Sequence, residues 1–522
     1  MVGRGGVRGR RGRGGEPFRT AGGEGVVVVT EGIPRRQPVR EAAARTYARS
    51  LPIVPVRARG LTIEGADGRR YLDCLSGAGT LALGHNHPVV LEAVRKVLDS
   101  GAPLHVLDVV TPVEDAFVTE LSRTLPPDLA RHARVQFCGP AGRDAVAAAL
   151  RLVRAATGRP GILAFTGARH GTAADAGRTV PEADVTRLPY PQDYRCPFGV
   201  GGPHGAELAA RWTESLLDDP LSGLPEPAGL IVEAVQGPGG VVPAPDPWLR
   251  RIRQITADRS LPLIADEIRT GVGRTGAFWA VQHSGVTPDV MVMSKAIGGS
   301  LPLSVVVHRD DLDPGPSDEA AGHVRGNQLA MAAGTATLAY VREHRLPERA
   351  AALGARMLSR LRGVAAEIPC VGEVRGRGLM IGLELVRPDD AGGARGAAEA
   401  GRTGENDGAD PTGSATRAGA APAPPPAAPG LAAAVQRECL RRGLIVGVGG
   451  RHGGVVRLLP PLTITDEQAT AVLDRLADAL QAVARTSVDG TGSAQPAGRR
   501  VPTGLTPAPR IPAPRPTAQE SP

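Results

Sequence analysis

Lysine is nearly absent from this chain. Lys96 and Lys295 are the only two among 522 residues, in a background rich in Ala, Gly, Arg and Pro. A lysine kept against that bias invites a chemical reason. Lys can lose its proton and form an imine, and Arg effectively cannot. Lys295 lies in Met291-Val-Met-Ser-Lys-Ala-Ile-Gly-Gly-Ser-Leu-Pro-Leu303. An apolar strand that ends at Ser294 holds the amine near strand ends, where desolvation favours its neutral form. Gly298 and Gly299 are expected to let the backbone approach a bulky ring closely. A solvated surface lysine is the ordinary alternative, and the apolar approach argues against it.

A second segment, Leu261-Pro-Leu-Ile-Ala-Asp-Glu267, places Asp266 at the end of another apolar run. A carboxylate there is costly unless it is paired. A protonated pyridine nitrogen would be such a partner, and the ring could then act as an electron sink. An Asp that caps a turn is the plainer reading. Third, Cys138-Gly-Pro-Ala-Gly-Arg-Asp-Ala145 is a glycine turn opening a helix. It suits a phosphate through free N–H groups at the positive helix end, though turn punctuation explains it equally. Fourth, Glu233-Ala-Val-Gln-Gly-Pro-Gly-Gly240 follows an apolar run. Fifth, Arg457-Leu-Leu-Pro-Pro-Leu-Thr463 could present a bidentate clamp for a carboxylate, or an ordinary ion pair. His85-Asn-His87 has no further ligand at metal spacing and reads as a turn.

The elements that must position these residues are short buried strands spaced by helices. Strands are predicted at Val135–Cys138, Gly161–Phe165, Gly229–Val235, Leu261–Asp266, Val290–Ser294 and Leu303–Val307. Helices are predicted at Asp144–Ala156, Glu207–Leu217 and Trp248–Ser260. That alternation predicts an α/β fold with a mostly parallel, doubly wound sheet, whose ligands sit at the carboxyl ends of strands. Residues 335–365, 371–386 and 431–485 look like a smaller α+β domain. Residues 1–40 are a Gly/Arg-rich basic tail, 388–430 an Ala/Gly/Pro-rich insertion, and 487–522 a Pro-rich tail, all expected to be flexible.

Charge excludes one class of function. The net charge is +8, but residues 1–20 carry six Arg and one Glu, and residues 487–522 carry four Arg, one Asp and one Glu. The tails thus supply +7 of the +8, which leaves no basic nucleic-acid face on the body. Five cysteines without a CxxC pair suggest reduced thiols in a cytoplasmic protein with no structural metal. No apolar run has membrane-helix length, and Val26–Val29 is too short for a signal-peptide core.

Together and in order, these segments resemble the class III aminotransferases, which depend on pyridoxal phosphate (PLP). Asp266-Glu-Ile-Arg-Thr-Gly-Val-Gly-Arg-Thr-Gly276 followed by Ser294-Lys-Ala-Ile-Gly-Gly299 is the most specific part. The match runs from about Arg45 to Leu480, apart from the insertion. Within the family the chain looks most like diaminobutyrate–2-oxoglutarate transaminases. Gly77-Ala-Gly-Thr-Leu81, Gly84-His-Asn-His-Pro88, Gln136-Phe-Cys-Gly-Pro140, Tyr194-Arg-Cys-Pro-Phe-Gly199 and Arg325-Gly-Asn-Gln-Leu-Ala-Met-Ala-Ala-Gly334 support this.

The resemblance implies PLP fold type I: a large domain over 101–334, and a small domain built from segments 41–100 and 335–486. It implies a homodimer with sites built from both subunits. It implies Lys295 as the Schiff-base residue and proton shuttle, with Asp266 under the pyridinium nitrogen. Ile268 would pack on the ring, and Gly142 and Arg143 would give backbone N–H groups to the phosphate. Arg169, His170, Glu233, Arg269 and His323 would complete the cofactor site, while Arg457 and Thr80 would face the substrate. The implied reaction moves the terminal amino group of L-2,4-diaminobutyrate to 2-oxoglutarate, or the reverse.

Several positions depart from the family pattern. Arg169 replaces an aromatic, Arg269 a Gln, His323 a Thr, Pro238 a Glu and Ala141 a small hydroxyl residue. These departures keep three other readings open: another ω-amino acid or diamine as donor, a catalytically weak partner protein, or an aminomutase that needs no acceptor.

Overall fold

A computed structural model describes residues 51–106, 109–170, 184–313, 315, 326–387 and 424–489. His323, the basic N-terminal tail, most of the 388–430 insertion and the Pro-rich tail from 490 lie outside the described residues.

Seven strands form the central sheet. They are β1 (Ala133–Phe137), β2 (Gly161–Phe165), β3 (Val185–Leu188), β4 (Pro227–Val232), β5 (Leu263–Asp266), β6 (Val290–Ser294) and β7 (Ser304–Arg309). Their order across the sheet is β1-β7-β6-β5-β4-β2-β3. Neighbours are parallel except for β7, which runs antiparallel to both β6 and β1. Alternate residues of one strand serve opposite faces. Leu163, Leu263 and Met291 join one apolar core, while Ile162, Ile264 and Val290 join the other with the helix Gly142–Thr157. Burial on both faces explains why these strands read as unbroken apolar runs rather than alternating ones.

The helix Gly142–Thr157 owes its position to its ends. Ala145, Val146, Ala149, Leu150 and Val153 line its buried stripe. The Asp144 carboxylate reaches back to accept from Ala141 N at 2.9 Å, and Gly158 closes the helix at φ 70°. Helices Gly202–Asp218 and Asp246–Asp258 cover the other core with Trp248, Leu249 and Ile252.

The chain's two ends build the rest together. The hairpins of Pro55–Arg59, Thr62–Gly65 and Arg70–Asp73 accept the C-terminal strand Leu444–Ile445, parallel to Leu72–Asp73. A second sheet orders Val371–Arg377, Met380–Leu385, Val455–Leu458 and Gly447–Gly449. Val386 bridges to Ala427, and a helix starts at Pro429. Ordered backbone therefore resumes before residue 430, earlier than composition suggests, because Ala427 and Pro429 are held by the small-domain sheet and helix. The last helix runs Asp466–Asp489, past the 486 boundary expected from composition. No helix among the described residues is long and apolar enough to cross a membrane.

The candidate active site

Asp266 and Lys295 leave adjacent parallel strands at the same end of the sheet. Asp266 pairs in register with Val292, and Lys295 follows Ser294 at the end of β6. Lys295 sits at φ 59°, a left-handed conformation that few non-glycine residues adopt and that clusters at functional sites. Two contacts hold it there. Ser294 Oγ donates to Leu303 O at 2.9 Å. The loop then presses on the helix Gln328–Glu343: a Cβ on Gly299 would lie 2.2 Å from Ala333 O, and one on Gly334 would lie 2.1 Å from Ile297 O. This corrects the role expected of Gly298 and Gly299. They admit a neighbouring helix and Leu303, because their missing side chains face protein rather than a ring.

Asp266 is paired within the chain. Its Oδ2 lies 2.9 Å from His170 Nδ1, and its Oδ1 accepts from Ile268 N at 3.1 Å. Each oxygen keeps a free lone pair. Burial alone would lower the His170 ring, but the Asp266 hydrogen bond and charge outweigh it and hold the ring above its ordinary value. Glu233 lies beside them, with Oε2 accepting from Gly237 N at 3.0 Å and Oε1 buried without a partner among the described residues. Burial, and then the Asp266 charge, push the Glu233 carboxyl up to about 7.

The Lys295 amine is pushed down to about 8, first by burial and then by the Arg269 charge, against the pull of Asp266. A neutral amine is thereby within reach near neutral pH. Ile268 and Arg269, neighbours in the chain, approach different glycines. Ile268 Cδ1 lies 2.9 Å from where a Cβ on Gly142 would sit, so a side chain there would have to push the end of Ile268 aside. Arg269 Cδ lies 2.7 Å from the Cβ position of Gly237. Arg457 approaches the same residue, its Nη1 3.5 Å from Gly237 O.

Three expected residues are less engaged. Thr80 turns its hydroxyl back onto Gly77 O at 2.9 Å, and no contact among the described residues joins it to Lys295, Asp266 or Arg457. Arg169 is exposed and reaches the site through its charge on Arg457. The Arg143 side chain is exposed beside Asp144 at 3.8 Å, so only its backbone N–H faces the helix start. Other contributors escape sequence reasoning. Gly449 makes room for the Arg457 guanidinium, Gly447 for Leu75, and Gln236 donates to Thr166 O at 3.0 Å to pin the Glu233–Gly240 loop. The Gly447-Val-Gly449 alternation is the one signal that could have marked the first.

These residues fit a phosphate-bearing pyridine aldehyde. The first-turn N–H groups of Gly142 and Arg143 have no acceptor within their own helix. His170 Nε2 and Glu233 Oε1 are buried and unpartnered among the described residues, beside a lysine that can form an imine.

Residues 43–480 match the family model for "Aminotransferase class-III". The chain belongs to the class III aminotransferases. Its similarity extends to individual members. It is 47% identical over 461 residues to the diaminobutyrate–2-oxoglutarate aminotransferase of Rhizobium meliloti, covering 86% of this chain and 92% of that protein. It is 40% identical to the enzyme of that name from Haemophilus influenzae, covering 86% and 95%. Among solved structures it resembles an amine transaminase from an uncultivated Pseudomonas species, in its PLP-bound form. The TM-score is 0.69 at 27% identity, covering 85% of this chain and 97% of that one. An (S)-enantioselective omega-transaminase from Thermomicrobium roseum gives a TM-score of 0.70 at 26% identity, covering 86% and 97%. The class III fold type is therefore shared across the central sheet and the smaller sheets.

Proposed function

We propose that this class III aminotransferase uses pyridoxal phosphate to move the terminal amino group of L-2,4-diaminobutyrate to 2-oxoglutarate. The products are aspartate 4-semialdehyde and glutamate, and the reaction is reversible. The observation that carries the reading is the placement of Lys295 and Asp266 at the ends of adjacent parallel strands. The near-full-length similarity to the Rhizobium meliloti enzyme supports the donor.

The cofactor supplies an aldehyde that condenses with an amine and a ring that stores the electron pair left when a C–H proton departs. The chain does the rest. Lys295 Nζ would hold the cofactor aldehyde and would serve as the base that moves a proton at the donor's terminal carbon. Asp266, fixed by His170 and by Ile268 N, would keep the pyridine nitrogen protonated. The N–H groups of Gly142 and Arg143 would bind the phosphate, and Ile268 would pack on the ring. Arg457 takes a substrate carboxylate. His323 would reach the phosphate of a second subunit's site and Thr80 would face the substrate, in a homodimer acting in the cytoplasm.

The test is the visible absorbance of the PLP-loaded protein. The band bleaches on adding diaminobutyrate without acceptor and returns with 2-oxoglutarate. A band indifferent to this donor removes it and leaves the class. A second donor class, another ω-amino acid or a diamine, is favoured by Pro238 and Arg269, which alter the wall against which the substrate lies.

A further inference from the structure

Arg457 has room made for it. It stands on the strand Val455–Leu458, and the neighbouring strand offers Gly447 and Gly449. A Cβ on Gly449 would lie 2.8 Å from both Cζ and Nη2 of the guanidinium, and one on Gly447 would lie 3.7 Å from Nε. The missing side chain of Gly449 is the one that leaves space for the guanidinium, since the Gly447 distance is ordinary contact. The guanidinium donates only to carbonyls, Nη2 to Val448 O at 3.1 Å and Nη1 to Gly237 O at 3.5 Å. Its Nε is buried with no partner among the described residues.

Arg269 meets Gly237 from the other side. Its Cδ lies 2.7 Å and its Nε 3.6 Å from the Cβ position of Gly237, beside Met380 Cε at 3.3 Å. Neither arginine has a carboxylate partner among the described residues. Of the two nearby carboxylates, Asp266 is engaged on His170 and Ile268 N, while Glu233 binds Gly237 N through Oε2, keeps Oε1 without a partner among the described residues and feels the Arg269 charge without forming an ion pair. Position 238 on the intervening loop is proline and brings no charge. The helix start that would seat a phosphate meets Ile268, whereas Arg269 meets Gly237. The two cations also act on each other, since Arg269 is the first charge that lowers Arg457, to about 10, after burial itself. Two arginine side chains approach one glycine, one of them with an orphaned N–H, and neither forms an ion pair among the described residues, which suits an anion. A carboxylate supplies two oxygens, and so can accept from both forks at once.

We propose that Arg269 and Arg457 form a two-arginine subsite for a carboxylate of the oxo-acid acceptor and its amino-acid product. Arg269 is then a specificity residue of this chain. This rests on the transaminase reading above and assigns its acceptor end.

The experiment uses the full-length PLP-loaded protein and glutarate, a dicarboxylate with neither a carbonyl nor an amine to react. Calorimetry measures glutarate affinity, and visible absorbance measures PLP affinity, in wild type, R269Q and R269K. R269Q weakens glutarate by about tenfold or more, the loss expected for a charge-assisted hydrogen bond. R269K recovers part of the loss because it keeps the charge but not the fork, and PLP affinity, read at a pH above the Lys295 midpoint, changes far less than glutarate affinity. Unchanged glutarate affinity in R269Q overturns the proposal. So does a fall in PLP affinity as large as the fall in glutarate affinity, which would assign Arg269 to the cofactor. The donor is tested separately: a wild type that binds glutarate but ignores diaminobutyrate leaves this subsite standing and removes the donor assignment.

Discussion

The two walls of the site differ in how they are charged. On the cofactor wall, Lys295, His170, Asp266 and Glu233 balance one another within the chain, and Asp266 is held from two directions. On the acceptor wall, the charges of Arg269 and Arg169 act on Arg457, and none of the three forms an ion pair with a carboxylate among the described residues. The first wall is held mainly by pairs inside the chain, with His170 Nε2 and Glu233 Oε1 left open among the described residues. The second is incomplete, and a buried cation without a counter-ion is costly, so an anion binds there with the repulsion already in place to be relieved. Machinery that must be preorganised is paired inside the protein, and a surface that must select a ligand is left for the ligand to pair.

The largest effects should come from breaking the cofactor wall. K295R removes the imine-forming amine while keeping a cation. It should abolish the visible PLP band and cut turnover by about a thousandfold or more, on the scale of a lost general base and nucleophile. Retained turnover in steady-state assays would mean that Lys295 is not the carrier. Next is D266N, which keeps the shape but not the charge that protonates the ring. A loss of about a hundredfold in kcat is expected, as for removal of one preorganised electrostatic group. An effect confined to PLP affinity would reassign Asp266 to binding alone.

Smaller effects should come from the incomplete wall. G449A would place a methyl 2.8 Å from the Arg457 guanidinium and displace it. The KM for 2-oxoglutarate should rise by about tenfold, one charge-assisted contact, while the rate of band bleaching by donor alone is preserved. Equal damage to both half-reactions would show that Gly449 shapes the whole site. The smallest expected change is a pH shift. Only the neutral Lys295 amine condenses with an aldehyde, so PLP uptake by the apoprotein should rise with pH and level off above about 8. Burial sets most of that depression and Arg269 adds to it. R269Q should therefore move the midpoint upward, toward an ordinary lysine. A midpoint that stays in place would show that burial acts alone.

Much of the fold could be read from local pattern. Gly161–Phe165 and Val290–Ser294 are strands to the residue, and Leu263–Asp266 differs from expectation only at its start. Runs buried on both faces are short, apolar and bounded by polar residues, so their ends are marked. Gly229–Val235 was harder, because its chain leaves β4 at Val232 and re-pairs Val235–Gln236 with Val242–Pro243 in a separate hairpin. A continuous apolar stretch gives no sign of such a change of partner. At the site, Asp266 and Lys295 stood out because a charged residue ending an apolar strand needs a reason. Their surroundings did not, since His170 lies 96 positions from Asp266 and Arg457 lies 220 from Gly237.

The sequence by itself determined most strands of the central sheet though not Val185–Leu188, their α/β alternation, the two chemically distinctive residues and a glycine turn that opens a helix. Each follows from residue type and near-neighbour spacing, which covalent connectivity preserves. Only the tertiary structure decided that Gly298 and Gly299 admit protein, that Thr80 turns away, that His170 orients Asp266, and that two arginines meet at Gly237 without a carboxylate. Those outcomes depend on which distant segments share a space, and on what charge each brings, and folding alone settles that.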